Sequence, residues 1–149
     1  MNILVAVDGS KTSENALAHA IEIAEGMSGS ITVVNAVDPT VGQVSGNKAI
    51  SSLTDADERL ILEGVEDAEQ RGMDILDDAA EHARVLGFEV EQTLLYGPPA
   101  ETIADFAESD GFDAIFAGHR GRSEKVERFL GSVAKKLVER STVPVTVVR

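Results

Sequence analysis

A chain of 149 residues with 43% hydrophobic content is long enough for one domain with a substantial core, and it holds no cysteine for a disulfide framework or a thiolate metal site. Its 26 acidic against 13 basic residues give a formal net charge of −13, which opposes non-specific contact with nucleic acid and with anionic membranes. No apolar run is long enough to span a bilayer, and MNILVAVDGS lacks the basic region and cleavage site of a secretory leader, so a cytoplasmic location is expected.

Ile3–Val7 is a continuous apolar run rich in β-branched residues, the pattern of a strand buried on both faces of a parallel sheet. Asp8-Gly9-Ser10 ends it, and Ser10 or Thr12 can cap a helix whose apolar stripe is Ala16, Leu17, Ala20, Ile21 and Ala24. Gly26 to Gly29 is expected to stop that helix. Ile31–Val37 reads as a second strand, broken by Asp38-Pro39. Pro39 to Thr54 reads as a mobile loop.

Asp55 and Glu58 match a capping box, and a long helix is expected from there to about Leu86. Its buried face is read as Ile61, Val65, Ala68, Ile75, Ala79, Ala83 and Leu86, with Gly64 and Gly72 marking a kink or a close packing contact. Phe88–Leu95 follows as a polar-flecked edge strand. Pro99 opens a short helix with Ile103, Ala104, Phe106 and Ala107 inward. Asp113–Ala117 is a fourth strand, Ser132 to Glu139 a fourth helix, and Val143–Val148 a fifth strand. Strict alternation of buried strands and amphipathic helices predicts one α/β domain over residues 1–149, doubly wound, with helices on both faces.

The stretch between the fourth strand and the last helix, AGHRGRSEKVERFLGS, carries the chemistry. Gly118, Gly121 and Gly131 stand at the spacing G-x2-G-x9-G, followed by Ser132. Glycines at a strand exit permit positive φ and bring N–H groups close to an anion, and the N-terminus of a helix favours a phosphate. Arg120 and Arg122 add positive charge to an otherwise acidic chain. The physical reading is a phosphate cradle for a nucleotide.

With that glycine-serine pattern, the opening Asn2-Ile3-Leu4-Val5-Ala6-Val7-Asp8-Gly9-Ser10 and the closing VPVTVVR, the chain resembles the universal stress protein family from end to end. The resemblance implies a Rossmann-like fold of five parallel strands in the order 3-2-1-4-5, and ATP binding. It places Ala6, Val7 and Asp8 at the nucleotide and the main chain of Ala36 at adenine. The Asp8 carboxylate can bind ribose hydroxyls or help hold a cation near the phosphates, or instead close an Asx turn or cap the helix. With no Cys and no His cluster, any metal is expected to be Mg²⁺ or Mn²⁺ held mainly by the phosphates and water. Ala117, Gly118, Gly121, Gly131, Ser132 and Val133 match or flank the motif. His119 and Arg120 lie between its first two glycines; Arg120 can pair with phosphate, and His119 departs from the small or polar residues common there. In the implied order, strands one and four are neighbours and their carboxyl ends flank the topological switch point, where ligands bind in open α/β sheets.

Competing chemistries lack their residues. His19, His82 and His119 show no metal spacing, and G-x-S-x-G, G-x-x-x-x-G-K-[ST] and a G-x-G-x-x-G after strand one are missing. A phosphoacceptor receiver needs an aspartate after strand three, where this chain has Tyr96-Gly97-Pro98. No general base or covalent nucleophile is evident, so the expectation is a nucleotide-responsive stress regulator with at most slow ATP hydrolysis. An interaction module of the same fold without nucleotide, and an ATP-using enzyme of the wider adenine-nucleotide hydrolase-like superfamily, stand as alternatives. The β-branched segment Val143 to Val148, at a sheet edge in the implied order, predicts a homodimer, which the resemblance also implies.

The acidic surface has two readings, adaptation to high salt or an ordinary acidic protein. Raising KCl from about 0.1 M to about 1 M shortens the screening length from about 10 Å to about 3 Å. On the salt-adapted reading the melting temperature rises by roughly 4–8 °C, the equivalent of about 2 kcal/mol of relieved self-repulsion. A flat calorimetric response across that range selects the ordinary acidic protein.

Overall fold

The computed structural model describes residues 1–39, 55–120 and 130–149, with residues 55–63 described as backbone only. Strands and helices alternate: β1 (Asn2–Ala6), α1 (Lys11–Met27), β2 (Ser30–Val37), α2 (Asp55–Val85), β3 (Glu91–Tyr96), α3 (Pro99–Ser109), β4 (Ala114–Gly118), α4 (Ser132–Arg140) and β5 (Val145–Val148). The sheet has the order β3-β2-β1-β4-β5 with every pairing parallel, as the sequence reading implied. The loop expected from Pro39 to Thr54 lies, beyond Pro39, outside the described residues, as do the side chains of the Asp55–Glu58 capping box and of Ile61.

The sheet divides the core in two. Ile3, Val5 and Val7 of the first strand and its exit meet Leu17, Ile21, Leu76 and Phe116 on the face covered by α1 and α2. Leu4 points the other way and meets Val34, Ala104, Ile115 and Leu137 under α3 and α4. Alternate residues of β1 therefore serve opposite faces, which is why its sequence is apolar without a break. Burying a side chain as completely as Leu17 or Leu137 stabilises by about 1.5–3 kcal/mol.

Helix α1 stops inside the expected Gly26–Gly29 stretch, after Met27, and the left-handed residue that ends it is Ser28 at φ 51° and ψ 41°. Gly29 is needed for space: a Cβ there would lie 2.6 Å from the Met1 carbonyl, which accepts from Ser30 N at 2.9 Å. In α2 the fully covered stripe is Gly72, Leu76, Ala80 and Ala83, one helical turn apart. Ile75 and Ala79 pack beside it half-buried, while Leu86, past the helix end, is 44% exposed. The long helix carries two neighbouring apolar stripes; the sequence reading placed Ala83 correctly in the covered one and otherwise followed the one that turns partly outward. Strand β5 begins at Val145 because Pro144 precedes it and contributes only its carbonyl, which accepts from Ile115 N at 2.8 Å.

The two glycines of α2 have opposite surroundings. A Cβ on Gly64 meets nothing within 4 Å, whereas one on Gly72 would lie 2.8 Å from Leu94 Cδ1 and 3.0 Å from Asn35 Oδ1. Gly72 thus marks close packing of α2 on β2 and β3. Gly64→Ala should stabilise by about 0.5–1 kcal/mol through helix propensity alone. Gly72→Ala gains the same term but pays about 1–3 kcal/mol of overpacking, for a net loss of up to about 2 kcal/mol. Urea denaturation of the two variants beside the parent checks the opposite signs.

Candidate functional site

The chain leaves β1 toward α1 on one face of the sheet and leaves β4 toward α4 on the other, so the carboxyl ends of these neighbouring strands splay apart. A cavity of about 320 Å³ lies there, near the lower end of the roughly 300–1,000 Å³ typical of small-molecule sites. One wall is Ala6, Val7 and Asp8 at the exit of β1, with Ser13 behind them. Val34, Asn35 and Ala36 of β2 form the next. Pro99 and Ile103, one turn apart on α3, make an apolar side. Ala117, Gly118 and Arg120 continue from β4, and Gly131 to Ala134 bring the start of α4.

The end of β2 presents its backbone. In a parallel ladder successive residues turn their N–H and C=O groups to opposite neighbours. The Val34 carbonyl accepts from Val7 N at 2.9 Å on the β1 side, and the Val37 carbonyl accepts from Gly97 N at 2.9 Å on the β3 side. The polar groups of Ala36 therefore turn toward β1, but the β1 register has already ended at Ala6 opposite Val34. One donor and one acceptor on a single residue face the crevice. Asn35 closes the ladder beneath them, donating from Nδ2 to the Val7 carbonyl at 2.8 Å.

Asp8 combines the two roles that the sequence set against each other. Its Oδ1 accepts from Ser10 N at 2.9 Å, the bond of an Asx turn, while the residue also lines the cavity. Ser10 caps α1 by accepting from Ser13 N at 3.2 Å. At the far wall Gly131 is the N-cap of α4 at φ −62° and ψ 157°, extended backbone open to any residue, and as a glycine it offers no capping side chain. The first turn of a helix carries N–H groups with no partner inside the helix, so this terminus contributes partial positive charge to the cavity.

Of the residues singled out from sequence, Ala6, Val7, Asp8, Ala36, Ala117, Gly118, Arg120, Gly131, Ser132 and Val133 come together in this one wall system. His119 does not line it. Its backbone instead splices elements together, with N donating to the Val148 carbonyl at 2.6 Å and its carbonyl accepting from Gly131 N at 2.8 Å. Gly121 and Arg122 lie outside the described residues. Gly118 needs to be glycine for a reason the spacing did not give. Its φ is not positive; a Cβ there would lie 2.6 Å from Thr12 Oγ1 and 2.8 Å from Ser13 N. Sequence reasoning missed Ser13, Val34, Asn35, Pro99, Ile103 and Ala134. Asn35 had a legible signal, being the one amide in the apolar run SITVVNAV of β2. Ala134 and Ile103 had none beyond core-like spacing.

An open parallel sheet with a ligand-sized crevice at its switch point defines a doubly wound α/β protein. Residues 1–149 match the universal stress protein family, and the chain belongs to that family. It is 32% identical over 147 residues to universal stress protein YxiE of Bacillus subtilis, an alignment covering 99% of this chain and 97% of the relative. The fold is similar to that of universal stress protein UspA from Lactobacillus plantarum, with a TM-score of 0.80, 24% identity, and coverage of 100% of this chain and 97% of the other. A universal stress protein from Archaeoglobus fulgidus solved in complex with dAMP is similar at a TM-score of 0.64 and 27% identity, covering 100% of this chain and 98% of that one.

Proposed function

We propose that the switch-point crevice binds an adenine nucleotide, ATP foremost, and that the chain acts as a nucleotide-responsive stress regulator in the cytoplasm, as one functional domain over residues 1–149. The observation that carries this reading is the backbone of Ala36 facing the cavity that also holds Asp8 and the N-terminus of α4. A peptide N–H beside a C=O complements the acceptor N1 and donor N6 of adenine and mismatches the donor and acceptor of guanine. The α4 terminus and Arg120 supply positive charge for phosphate within a chain of net charge −13. The dAMP carried by the relative from Archaeoglobus fulgidus supports the same ligand class. Among the described residues no group of three or more His, Cys, Asp or Glu side chains could hold a metal ion. The cation that suits this wall is therefore Mg²⁺ or Mn²⁺, ligated mainly by phosphate and water with Asp8 close by.

Mass spectrometry of small molecules released from the denatured protein should find an adenine nucleotide. Calorimetry should show ATP binding at least about tenfold tighter than GTP, a difference of about 1.4 kcal/mol. Gly131→Val, which puts a branched side chain on the cavity wall, should weaken ATP at least about tenfold with an unchanged circular dichroism spectrum. Equal affinity for ATP and GTP, or full ATP affinity in a folded Gly131→Val, counts against the reading. Release of labelled phosphate over hours separates a slow ATPase from a pure binding module.

The same reading includes a homodimer through β5. Ile115 N donates to the Pro144 carbonyl and His119 N to that of Val148, so Pro144, Thr146 and Val148 face β4 and the polar groups of Val145 and Val147 face outward. Two such edges can pair about a two-fold axis. Val147→Pro removes an outward N–H and no bond to β4, so it should give a folded monomer. Sedimentation velocity at micromolar concentration, in low and high salt, should find dimer for the parent and monomer for the variant. A monomeric parent in both salts sinks the dimer.

A further inference from the structure

Thr12 makes a contact that helix capping does not require. It sits in the first turn of α1, where Ser10 already fills the cap by accepting from Ser13 N. Its hydroxyl instead donates to the Arg120 carbonyl at 2.6 Å, across 108 positions of chain. The Ser10 hydroxyl lies 3.3 Å from Thr12 Oγ1 and 3.4 Å from the same carbonyl, a second and longer contact. Gly118 makes the approach feasible, since any Cβ on it would occupy space 2.6 Å from Thr12 Oγ1.

Three successive residues at the end of β4 are thus fixed, the outer two by α1 and the middle one by β5 and Gly131. Gly118 rests against the first turn of α1, His119 is bonded through its backbone to β5 and to Gly131, and Arg120 is held by Thr12. Arg120 lines the cavity and Thr12 does not. The Arg120 carbonyl, a partial negative charge on a residue of the cavity wall, is consequently engaged by a hydroxyl of α1. Turned inward, the same carbonyl would oppose an anion in a site where local positive charge must already overcome an acidic protein.

We propose that Thr12 is a positioning residue for the phosphate end of the ligand site, acting through the Arg120 carbonyl. The proposal rests on the adenine-nucleotide reading above. Nothing in it concerns the base, because Ala36 and the apolar side formed by Pro99 and Ile103 do not touch this linkage. The effect of losing the hydroxyl should therefore depend on phosphate.

Calorimetric titration of the full chain with ATP, AMP and adenosine tests this on the parent, Thr12→Val and Thr12→Ser. Thr12→Val keeps the volume and removes the donor. It should weaken ATP about tenfold, as one lost hydrogen bond predicts, and leave adenosine within about twofold. Thr12→Ser restores the donor and should recover ATP affinity to within about threefold of the parent. If Thr12→Val melts below the assay temperature, Thr12→Ala is measured in its place with the same expectation. Unchanged ATP affinity in a folded donor-less variant overturns the role of Thr12 and leaves the nucleotide reading intact. An equal loss for ATP and adenosine overturns it too, since that is general damage to the pocket. A parent that binds neither ATP nor AMP overturns both readings.

Discussion

The site depends on where the central strand stops: β1 ends at Ala6, opposite Val34 and Ala117, before either neighbour ends. The ladder of β1 stops where Val7 N meets the Val34 carbonyl, while β2 continues to Val37 and the chain from β4 stays bonded to β5 through His119. Past that point the sheet has a missing rung at its centre. The side chain of Asn35 satisfies the carbonyl of Val7, just past the end of β1, which closes the floor at 2.8 Å. What remains above the floor is backbone polarity without a strand to receive it, the condition under which a flat heterocycle can take the place of a strand.

The described residues bring to that gap a carboxylate, one arginine, the hydroxyls of Ser13 and Ser132, the Asn35 amide, a helix terminus and apolar walls. This set can hold and orient a charged ligand. On the proposed adenine-nucleotide reading, selectivity falls mainly to main-chain geometry, which tolerates substitution of side chains.

Legibility in the sequence followed the range of the interaction. The buried strands were readable because each must be apolar on both faces, and Ile3 to Val5 could hardly be anything else. The glycine-serine spacing marked the β4 exit, and with the family resemblance it drew in Asp8 and Ala36 as well. The contact of Gly118 with Thr12 was not readable. It joins residues 106 positions apart through absence of a Cβ, and nothing in the local pattern reports the space that a distant helix occupies. In α2 the failure was different: two apolar stripes lie side by side, and only the position of β2 and β3 decides that Leu76 and Ala80 turn in. Similarly, which residues of β5 face outward follows from two hydrogen bonds to β4, not from a segment whose every second residue looks the same.

The strand order also has a meaning for the chain as it is made. Sheet position four is filled by a segment that begins at Ala114, so β1 has only one neighbour until the chain from Ala114 onward has emerged. During that interval Ile3, Leu4 and Val5, each fully buried in the finished protein, line an open edge. At synthesis rates of roughly 5–20 residues per second, that exposure lasts on the order of seconds. The placement that opens a crevice in the folded state thus sets the most vulnerable moment in its biogenesis.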